Sequence, residues 1–503
     1  LGIDTVKQAE IFSEVRTTFG VERDDKFSLA DHSTVRKLAA WLEDRAHLAA
    51  ARSFIEHDGD DVSEPLSDPA SDLPRSFWVR RPALVPRPCT VIASLRGRKV
   101  RLLGEGQVTE ALERALQGRG ASVVHIVDPD APQPDVDAVI DVAADALEAF
   151  VAAKALVGRP PRDWLCLTML GEMHGMTPDQ AFFDGSRAGF TKALGREWES
   201  CQARVVDVSP DRGVDSIAEL LCDELAAPDG SPEVFHGPDG VRKVVALAVA
   251  LHPPALAKPK VGQVVLATGG GRGVTASVVL ELARRAPGTF VLVGRTPPLA
   301  KPLNEEAAKK QAREELLAAG EKPSPGRIDA KLAGPRAAEE VRRTMEDLLA
   351  TGSRVEFRSV DMGDVGAVVK LVSDVKSSYG RIDGCVHGAG VEESRLLQDK
   401  DLKAFQRVFD GKALGGLTLA ERLPESAWLL SMGSVAGRFG NAGQVDYAAA
   451  NEALAQICKA RPRSLHVCWT AWAGVGMAVR GGMQQLLESK GVELMPVVAG
   501  ASL

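Results

Sequence analysis

Of the two tyrosines in this 503-residue chain, Tyr379 and Tyr447, the second stands in a stretch that could do chemistry. Residues 431–451 read SMGSVAGRFGNAGQVDYAAAN. The apolar run 427–430 ahead of it predicts a buried strand, and the residues after Tyr447, through 452–460, predict a helix. Ser434 therefore falls just past a strand end, and Tyr447 at the start of the next helix. In an open α/β sheet the carboxyl ends of strands face the ligand crevice. A hydroxyl and a phenol brought together there can polarise a carbonyl and protonate its oxygen. A lone tyrosine is more often a packed ring with a locally satisfied hydroxyl, so the reading depends on what else converges. A phenol with a pKa of ~10 needs a nearby positive charge before its proton exchanges easily near neutrality. Position 451, one helical turn on, is an asparagine, which leaves Lys412, in FDGKALGGLTLA upstream of Ser434, as the candidate cation.

The elements that must position these groups read as alternating strands and helices. In the second half, 263–267 predicts a strand, followed by Thr268-Gly269-Gly270-Gly271-Arg272-Gly273-Val274-Thr275 and a helix over 276–285. Glycines let the backbone turn tightly and approach a pyrophosphate, whose charge is met by amides at the helix N-terminus. Thr268, Gly269, Gly271, Arg272, Gly273 and Val274 are the residues expected at that loop. A glycine cluster alone says little, but a strand before it and a helix after it raise its weight. The next strand, 290–293, ends in Gly294-Arg295. An acidic residue there would select NAD through the ribose 2′-hydroxyl, whereas an arginine accommodates a 2′-phosphate. Arg272 is a second candidate for that phosphate. Strand 354–360 leads to Asp361 and Met362, placed to meet the adenine edge. Strand 382–386 leads to His387-Gly388-Ala389-Gly390, whose small residues let the chain pass beside a cofactor. His387 is expected to pack and not to act as a base. Residues 300–350, rich in Ala, Glu, Lys and Arg, predict helices inserted between the second and third strands, as a solvated structural insert or a partner-docking arm.

The first half, 90–255, repeats the alternation, with strands predicted at 99–103, 122–127, 138–142, 164–169, 203–208 and 243–249 and helices such as 108–117 and 178–198 between them. Its phosphate loop is poor. Gly104-Glu105-Gly106-Gln107 places an acid where a pyrophosphate would sit and lacks a third glycine. This half is expected to be structural and cofactor-free. Upstream, 1–50 carries two stretches of helical apolar spacing. Residues 51–89, which include HDGDDVSEPLSDPASDLP, are acidic and proline-bearing and predict a flexible linker. The expected domains are thus 1–50, 51–89, 90–258 and 259–503. The fold class is α/β, with two Rossmann-like, doubly wound parallel sheets and a small N-terminal helical segment.

Apolar residues at 45% and charged residues at 26% suit a soluble globular chain long enough for several domains. A net charge of −7, with no basic tract, argues against nucleic acid as a partner. No apolar run reaches the ~20 residues of a membrane span, and no signal peptide is visible. The seven cysteines lack CxxC spacing and several sit in strand-like apolar runs, which predicts buried thiols, no metal site and a cytoplasmic setting. The chain opens in what reads as mid-element and ends without an obvious stop, as expected of a piece of something longer.

The tetrad Lys412, Ser434, Tyr447 and Asn451, with lysine and asparagine exchanged relative to most short-chain dehydrogenases, resembles the ketoreductase domains of type I polyketide synthases and related polyunsaturated fatty acid synthases. VHGAGV, SVAGRFGNAGQVDYAAAN and WTAWAGVGMA follow in that family's order. LGIDTVKQAEIF and STVRKLAAWL resemble the later helices of an acyl carrier protein. Thr5 stands where the carrier serine would be, and its more hindered hydroxyl argues against phosphopantetheine attachment. The resemblance implies NADPH as cofactor and reduction of a β-ketoacyl thioester, with the acyl chain on a phosphopantetheinylated carrier protein and other megasynthase domains as partners. It further implies that Tyr447 donates the proton, Ser434 hydrogen-bonds the oxyanion, Lys412 lowers the phenol's pKa, and Asn451 positions Lys412 or a relay water.

The chain departs from the family where Val391-Glu392-Glu393-Ser394 replaces a Leu-Asp-Asp marker and where Phe439 replaces a tryptophan, leaving product stereochemistry open. Residues 477–490 read as a mobile lid or a surface helix. Two other readings stand beside this one. A catalytically silent scaffold would be expected to have lost one of the four groups, and a free-standing short-chain dehydrogenase acting on other carbonyls would not need the carrier-like segment.

Overall fold

The computed structural model describes residues 80–89, 94–125, 134–170, 176–227, 230–249, 259–476, 483–489 and 491–503. The carrier-like segment with Thr5, and the acidic stretch as far as residue 79, lie outside them.

In the first half the elements run β1 (Arg80–Pro86), β2 (Lys99–Leu103), α1 (Gln107–Gly118), β3 (Ser122–Val124), β4 (Ala138–Asp141), α2 (Ala146–Lys154), β5 (Asp163–Thr168), α3 (Pro178–Glu197), β6 (Gln202–Val208), α4 (Val214–Leu225), β7 (Glu233–His236) and β8 (Arg242–Val249). They build an eight-stranded sheet of order β1-β8-β7-β6-β5-β4-β2-β3. Pairing is parallel from β3 to β7, and β8 runs antiparallel to both β7 and β1. Two of these strands differ from expectation. Arg80–Pro86 falls in the segment expected as linker, yet it pairs along its whole length with β8. Its two prolines hide it in the sequence, and the sheet edge tolerates them because one side of an edge strand needs no ladder donors. β7 has only four residues, too few for a periodicity to show.

In the second half follow β9 (Val264–Thr268), α5 (Gly273–Arg285), β10 (Thr289–Gly294), α6 (Glu305–Ala318), α7 (Pro325–Ala350), β11 (Arg354–Ser359), α8 (Val365–Tyr379), β12 (Gly384–His387), α9 (Leu402–Phe409), α10 (Gly415–Arg422), β13 (Trp428–Ser434), α11 (Val435–Phe439), α12 (Val445–Ala460), β14 (Ser464–Trp469), α13 (Met483–Ser489) and α14 (Val497–Ser502). The six-stranded sheet is parallel throughout, in the order β11-β10-β9-β12-β13-β14. The chain reverses direction across the sheet between β9 and β12, so the ligand crevice of this α/β half lies at the carboxyl ends of those two strands. The expected α/β class with two Rossmann-like sheets therefore holds.

At the corresponding end of the first sheet, charged side chains line an open pocket of about 510 Å³. Arg187 of α3 donates to Asp141 (2.9 Å), to the Leu167 carbonyl (2.8 Å) and to Asp184 (2.6 Å). The turn after β2 is closed, since a Cβ on Gly104 would lie 2.7 Å from the Ala143 backbone nitrogen.

The two halves meet through α3 and α12. α3 starts on a capping box, Thr177 with Gln180, followed by Pro178 in its first turn. It is buried on nearly all sides, so no polar face marks it as a surface helix. Gly185 and Gly189 bring it onto α12, where added Cβ atoms would lie 2.9 Å from Ala453 Cα and 2.3 Å from the Ala448 carbonyl oxygen. Around this crossing Phe150 packs on Phe405 and Phe182 on Phe409, each pair joining one half to the other. A buried charge cluster completes the contact: Lys192 of α3 lies 3.1 Å from Glu452, which Arg438 approaches at 3.6 Å while also pairing with Glu233. Burial alone would raise the Glu452 pKa, but Lys192 and Arg438 hold it down at about 2.

Replacing Gly189 by alanine forces a methyl group into backbone that cannot yield, and overpacking of this kind costs about 1–3 kcal/mol. Gly118, where an added Cβ meets nothing within 4 Å, is the control. Thermal unfolding is expected to show Gly189→Ala clearly destabilised and Gly118→Ala close to the parent. Equal midpoints for the two would contradict the close crossing.

Candidate active site

Lys412 sits in a π-helical turn, Asp410–Leu414, between α9 and α10. Such a turn inserts an extra residue into the helical path and is frequent at functional sites. Here it swings Lys412 into the interior, where it is 3% exposed. Its Nζ donates to the Met432 carbonyl of β13 at 2.9 Å and lies 5.7 Å from the centre of the Tyr447 ring. Burial lowers its pKa to about 8. Gly390 gives passage to the lysine stem, because a Cβ there would come within 3.3 Å of Lys412 Cδ. His387, at the end of β12, locks the turn from below. The Lys412 carbonyl can only accept, so His387 Nε2–H donates to it (2.8 Å), and Nδ1 accepts from the Thr268 hydroxyl (2.7 Å). Burial and the Lys412 charge hold His387 down at about 4, so it stands as a neutral brace.

Ser434 closes β13 and caps α11, accepting from the Ala436 amide at 3.2 Å. Tyr447 lies in the first turn of α12, with Asn451 one turn further along the same face. Burial pushes the Tyr447 phenol up to about 12, the Asn451 and Ser434 dipoles pull it back, and the Glu392 charge adds to the rise. This balance departs from the expectation that Lys412 lowers the phenol's pKa. The ammonium is hydrogen-bonded to Met432 and not to the phenol, so desolvation dominates. Asn451 Nδ2 donates to the Tyr447 carbonyl at 2.7 Å, while its buried Oδ1 has no partner among the described residues. An unpaired buried carbonyl is costly and points to a role for the atom. All four residues of the tetrad thus converge at the carboxyl ends of β12 and β13.

The loop between β9 and α5 interlocks with the turn after β12. A Cβ on Gly269, whose φ is +67°, would lie 2.6 Å from the Gly388 carbonyl, and one on Gly388 would fall 2.0 Å from Thr275 Oγ1. These glycines, with Ala389 beside them, therefore allow backbone to pass against backbone. Thr268 is buried and braces the turn, with its hydroxyl 3.4 Å from the Ala389 amide. Met362 is also buried, its side chain packed towards α10, so only its backbone is available at the strand end. Arg295 and Asp361 stand at neighbouring strand ends, 4.0 Å apart and largely exposed, with Arg272 exposed at the start of α5.

A carboxylate already occupies the helix N-terminus. The Gly273 amide donates to Glu340 of α7 at 2.8 Å, and the neighbouring Val341 packs on Gly271. Amides there take an anion, which is the chemistry a dinucleotide phosphate requires. The residues present therefore fit such a cofactor, with the glycine turn for its phosphates and Arg295 or Arg272 for a further one. The sequence signals missed Glu340 because it belongs to the insert, with no motif to connect it to the loop. Of the stretch expected as lid or surface helix, 483–489 is helical, and 477–482 and 490 lie outside the described residues.

A family model described as a KR domain matches residues 263–474. Over its full length the chain is 27% identical to one polypeptide of the polyunsaturated fatty acid synthase of Thraustochytrium, of which it spans 20%. It is 26% identical to erythronolide synthase EryA3 of Saccharopolyspora erythraea, over 80% of this chain and 12% of that one. The chain thus covers a fifth or less of these relatives' length. Among solved structures, the PlmKR1 ketoreductase from the first module of phoslactomycin biosynthesis in Streptomyces shares the fold with a TM-score of 0.64, 22% identity and coverage of 84% and 88% of the two chains. An A1-type ketoreductase does so at 0.65, with 21% identity and coverage of 84% and 89%.

Charge at a helix N-terminus is worth about 0.3–1 kcal/mol. Glu340→Gln removes a negative charge beside the loop, and a dinucleotide is expected to bind about two- to fivefold more tightly. Titration of nicotinamide fluorescence checks this, and weaker binding in Glu340→Gln would contradict it.

Proposed function

We propose that this chain, the ketoreductase region of a type I polyketide-synthase-like protein with a KR domain at residues 263–474, carries out the NADPH-dependent reduction of a β-ketoacyl thioester to a β-hydroxyacyl thioester. The observation that carries the proposal is the convergence of Lys412, Ser434, Tyr447 and Asn451 beside the glycine turn. NADPH, when bound, supplies the hydride for the β-carbonyl carbon. Thr268, Gly269, Gly271, Arg272, Gly273 and Val274 would form its phosphate turn, Arg295 would meet the 2′-phosphate, Asp361 and the Met362 backbone the adenine edge, and Gly388, Ala389 and Gly390 would flank it.

The protein groups then have separable tasks. Tyr447 is a phenol at neutral pH, since burial holds its pKa at about 12, and so it has a proton to deliver to the carbonyl oxygen. Ser434 donates a hydrogen bond to the same oxygen as its charge develops. Lys412, anchored on Met432, places a positive charge beside the ring, which does not overcome the effect of burial on the phenol but favours the phenolate left behind over a site without it. The free Asn451 Oδ1 is the acceptor through which that charge, or a water, communicates with Tyr447. The substrate's acyl chain is proposed to arrive on a phosphopantetheinylated carrier protein, with other megasynthase domains as partners. Thr5 is not proposed as an attachment site. Among the described residues no helix is long and apolar enough to cross a membrane, and we propose a cytoplasmic setting.

Tyr447→Phe is expected to lose nearly all reduction of a small β-keto thioester while keeping its affinity for NADPH, read by fluorescence titration. Undiminished turnover in that variant would sink the assignment. The pH profile provides a second check. Lys412 loses its charge as pH rises through about 8, well before Tyr447 ionises. Reductive turnover is therefore expected to fall above pH ~8. A profile flat to pH ~10 would remove the Lys412 charge from the step.

A further inference from the structure

Lys154 and Glu197 end two helices of the first half, α2 and α3, and both reach into the loop that follows Gly390 in the second. Lys154 Nζ donates to the carbonyls of Leu397 (2.9 Å), Gln398 (2.7 Å) and Lys400 (2.9 Å). An ammonium has three protons, and all three are used on one turn of backbone. Glu197 accepts the Leu397 amide with both oxygens, at 2.5 and 3.1 Å, and it also accepts from the Gly443 amide. The loops carrying Leu397 and Gly443 are further joined by the Arg395 amide donating to the Gly443 carbonyl at 2.9 Å.

This grip reaches the chemistry by a short route. Lys400, fully buried, donates to Asp446 at 2.6 Å and to the Glu393 carbonyl at 2.9 Å. Asp446 in turn accepts the Tyr447 amide at 2.8 Å. Earlier in the same loop Val391 packs against the cluster of Val408, Ala436 and Tyr447, and Glu392 both accepts from Gln444 at 3.0 Å and places its charge near the phenol. The loop 391–400 is therefore a wall of the space in front of Tyr447. Among the described residues it is held on its far side by side chains of the half that has no catalytic group of its own.

We propose that Lys154 and Glu197 are positioning residues. The first half of the chain clamps the loop 391–400, and thereby sets how an acyl substrate is presented to Tyr447. This rests on the reading that the site reduces an acyl carbonyl. Neither residue touches the glycine turn, so cofactor affinity is independent of the clamp. Lys154→Met removes all three donors, and Lys154→Arg restores donors of the same charge. Glu197→Gln keeps the shape but replaces one acceptor oxygen by an amide that cannot accept.

The test compares the full chain and these variants by hydrogen exchange, NADPH titration and kinetics with a small β-keto thioester. In Lys154→Met, and to a smaller extent in Glu197→Gln, exchange over 391–400 is expected to rise about tenfold or more. KM should rise severalfold with kcat changed little, the ratio of product stereoisomers should shift, and NADPH affinity should be unaltered. Lys154→Arg should recover most of the KM. Unchanged exchange over 391–400 would overturn the clamp, as would a loss of kcat, NADPH affinity and thermal midpoint together, which is the mark of general destabilisation. Should Lys154→Met fail to fold, Glu197→Gln and Lys154→Arg carry the comparison by themselves. If the parent chain does not reduce the thioester, the proposed activity fails, while the exchange measurement still decides whether the clamp exists.

Discussion

Helix α12 carries Tyr447 and Asn451 around the run Ala448–Ala450, which leaves that face of the helix without a large side chain to hold a neighbour off. That face is set by the crossing with α3, where Gly185 and Gly189 let the two backbones come together without intervening side chains, while Val445, Leu454 and Ile457 anchor the helix in the core. Contact this close is unforgiving, because an added methylene must displace main chain and not a flexible side-chain end. The buried cluster of Lys192, Glu452 and Arg438 sits beside the crossing and specifies its register, since any slip would leave a charge unpaired in the interior. The first half thus serves the second as a wall, and its own crevice is lined by Arg187 and its carboxylates.

From that fixed helix the site is assembled by backbone chemistry as much as by side chains. The π-helical turn around Asp410–Leu414 frees the Lys412 carbonyl for His387 and aims the lysine stem past Gly390 at the Met432 carbonyl. Burial then acts on two ionisable groups in opposite directions. It weakens the lysine's hold on its proton and strengthens the tyrosine's, so the phenol stays protonated at a pH where the lysine is already losing its charge.

The insert between β10 and β11 adds a layer that short α/β units lack. Its second helix lays Glu340 on the Gly273 amide and Val341 on Gly271, so the glycine turn is in contact with residues unrelated to the sheet. A carboxylate at a helix N-terminus stabilises the helix and competes with any other anion for the same amides.

Much of this was readable from residue order. Alternating apolar runs and helical patterns marked both sheets, and the glycine turn after a strand, Arg295 at the next strand end, Ser434 and Tyr447 around a strand–helix junction, and Lys412 upstream marked the site. These signals are local, each set by the spacing of neighbours along the chain. The proline-bearing edge strand Arg80–Pro86 was not readable, because it is a strand only by virtue of β8 beside it. Nor was the direction of the Tyr447 pKa, which depends on how deeply the fold buries the phenol and on the ammonium finding Met432 instead. The grip of Lys154 and Glu197 on a loop some two hundred residues away along the chain left no trace in the sequence. Local spacing thus determined which groups are present and on which elements. Only the tertiary structure decided which of them touch, since contacts between distant segments come from packing that no window of sequence contains.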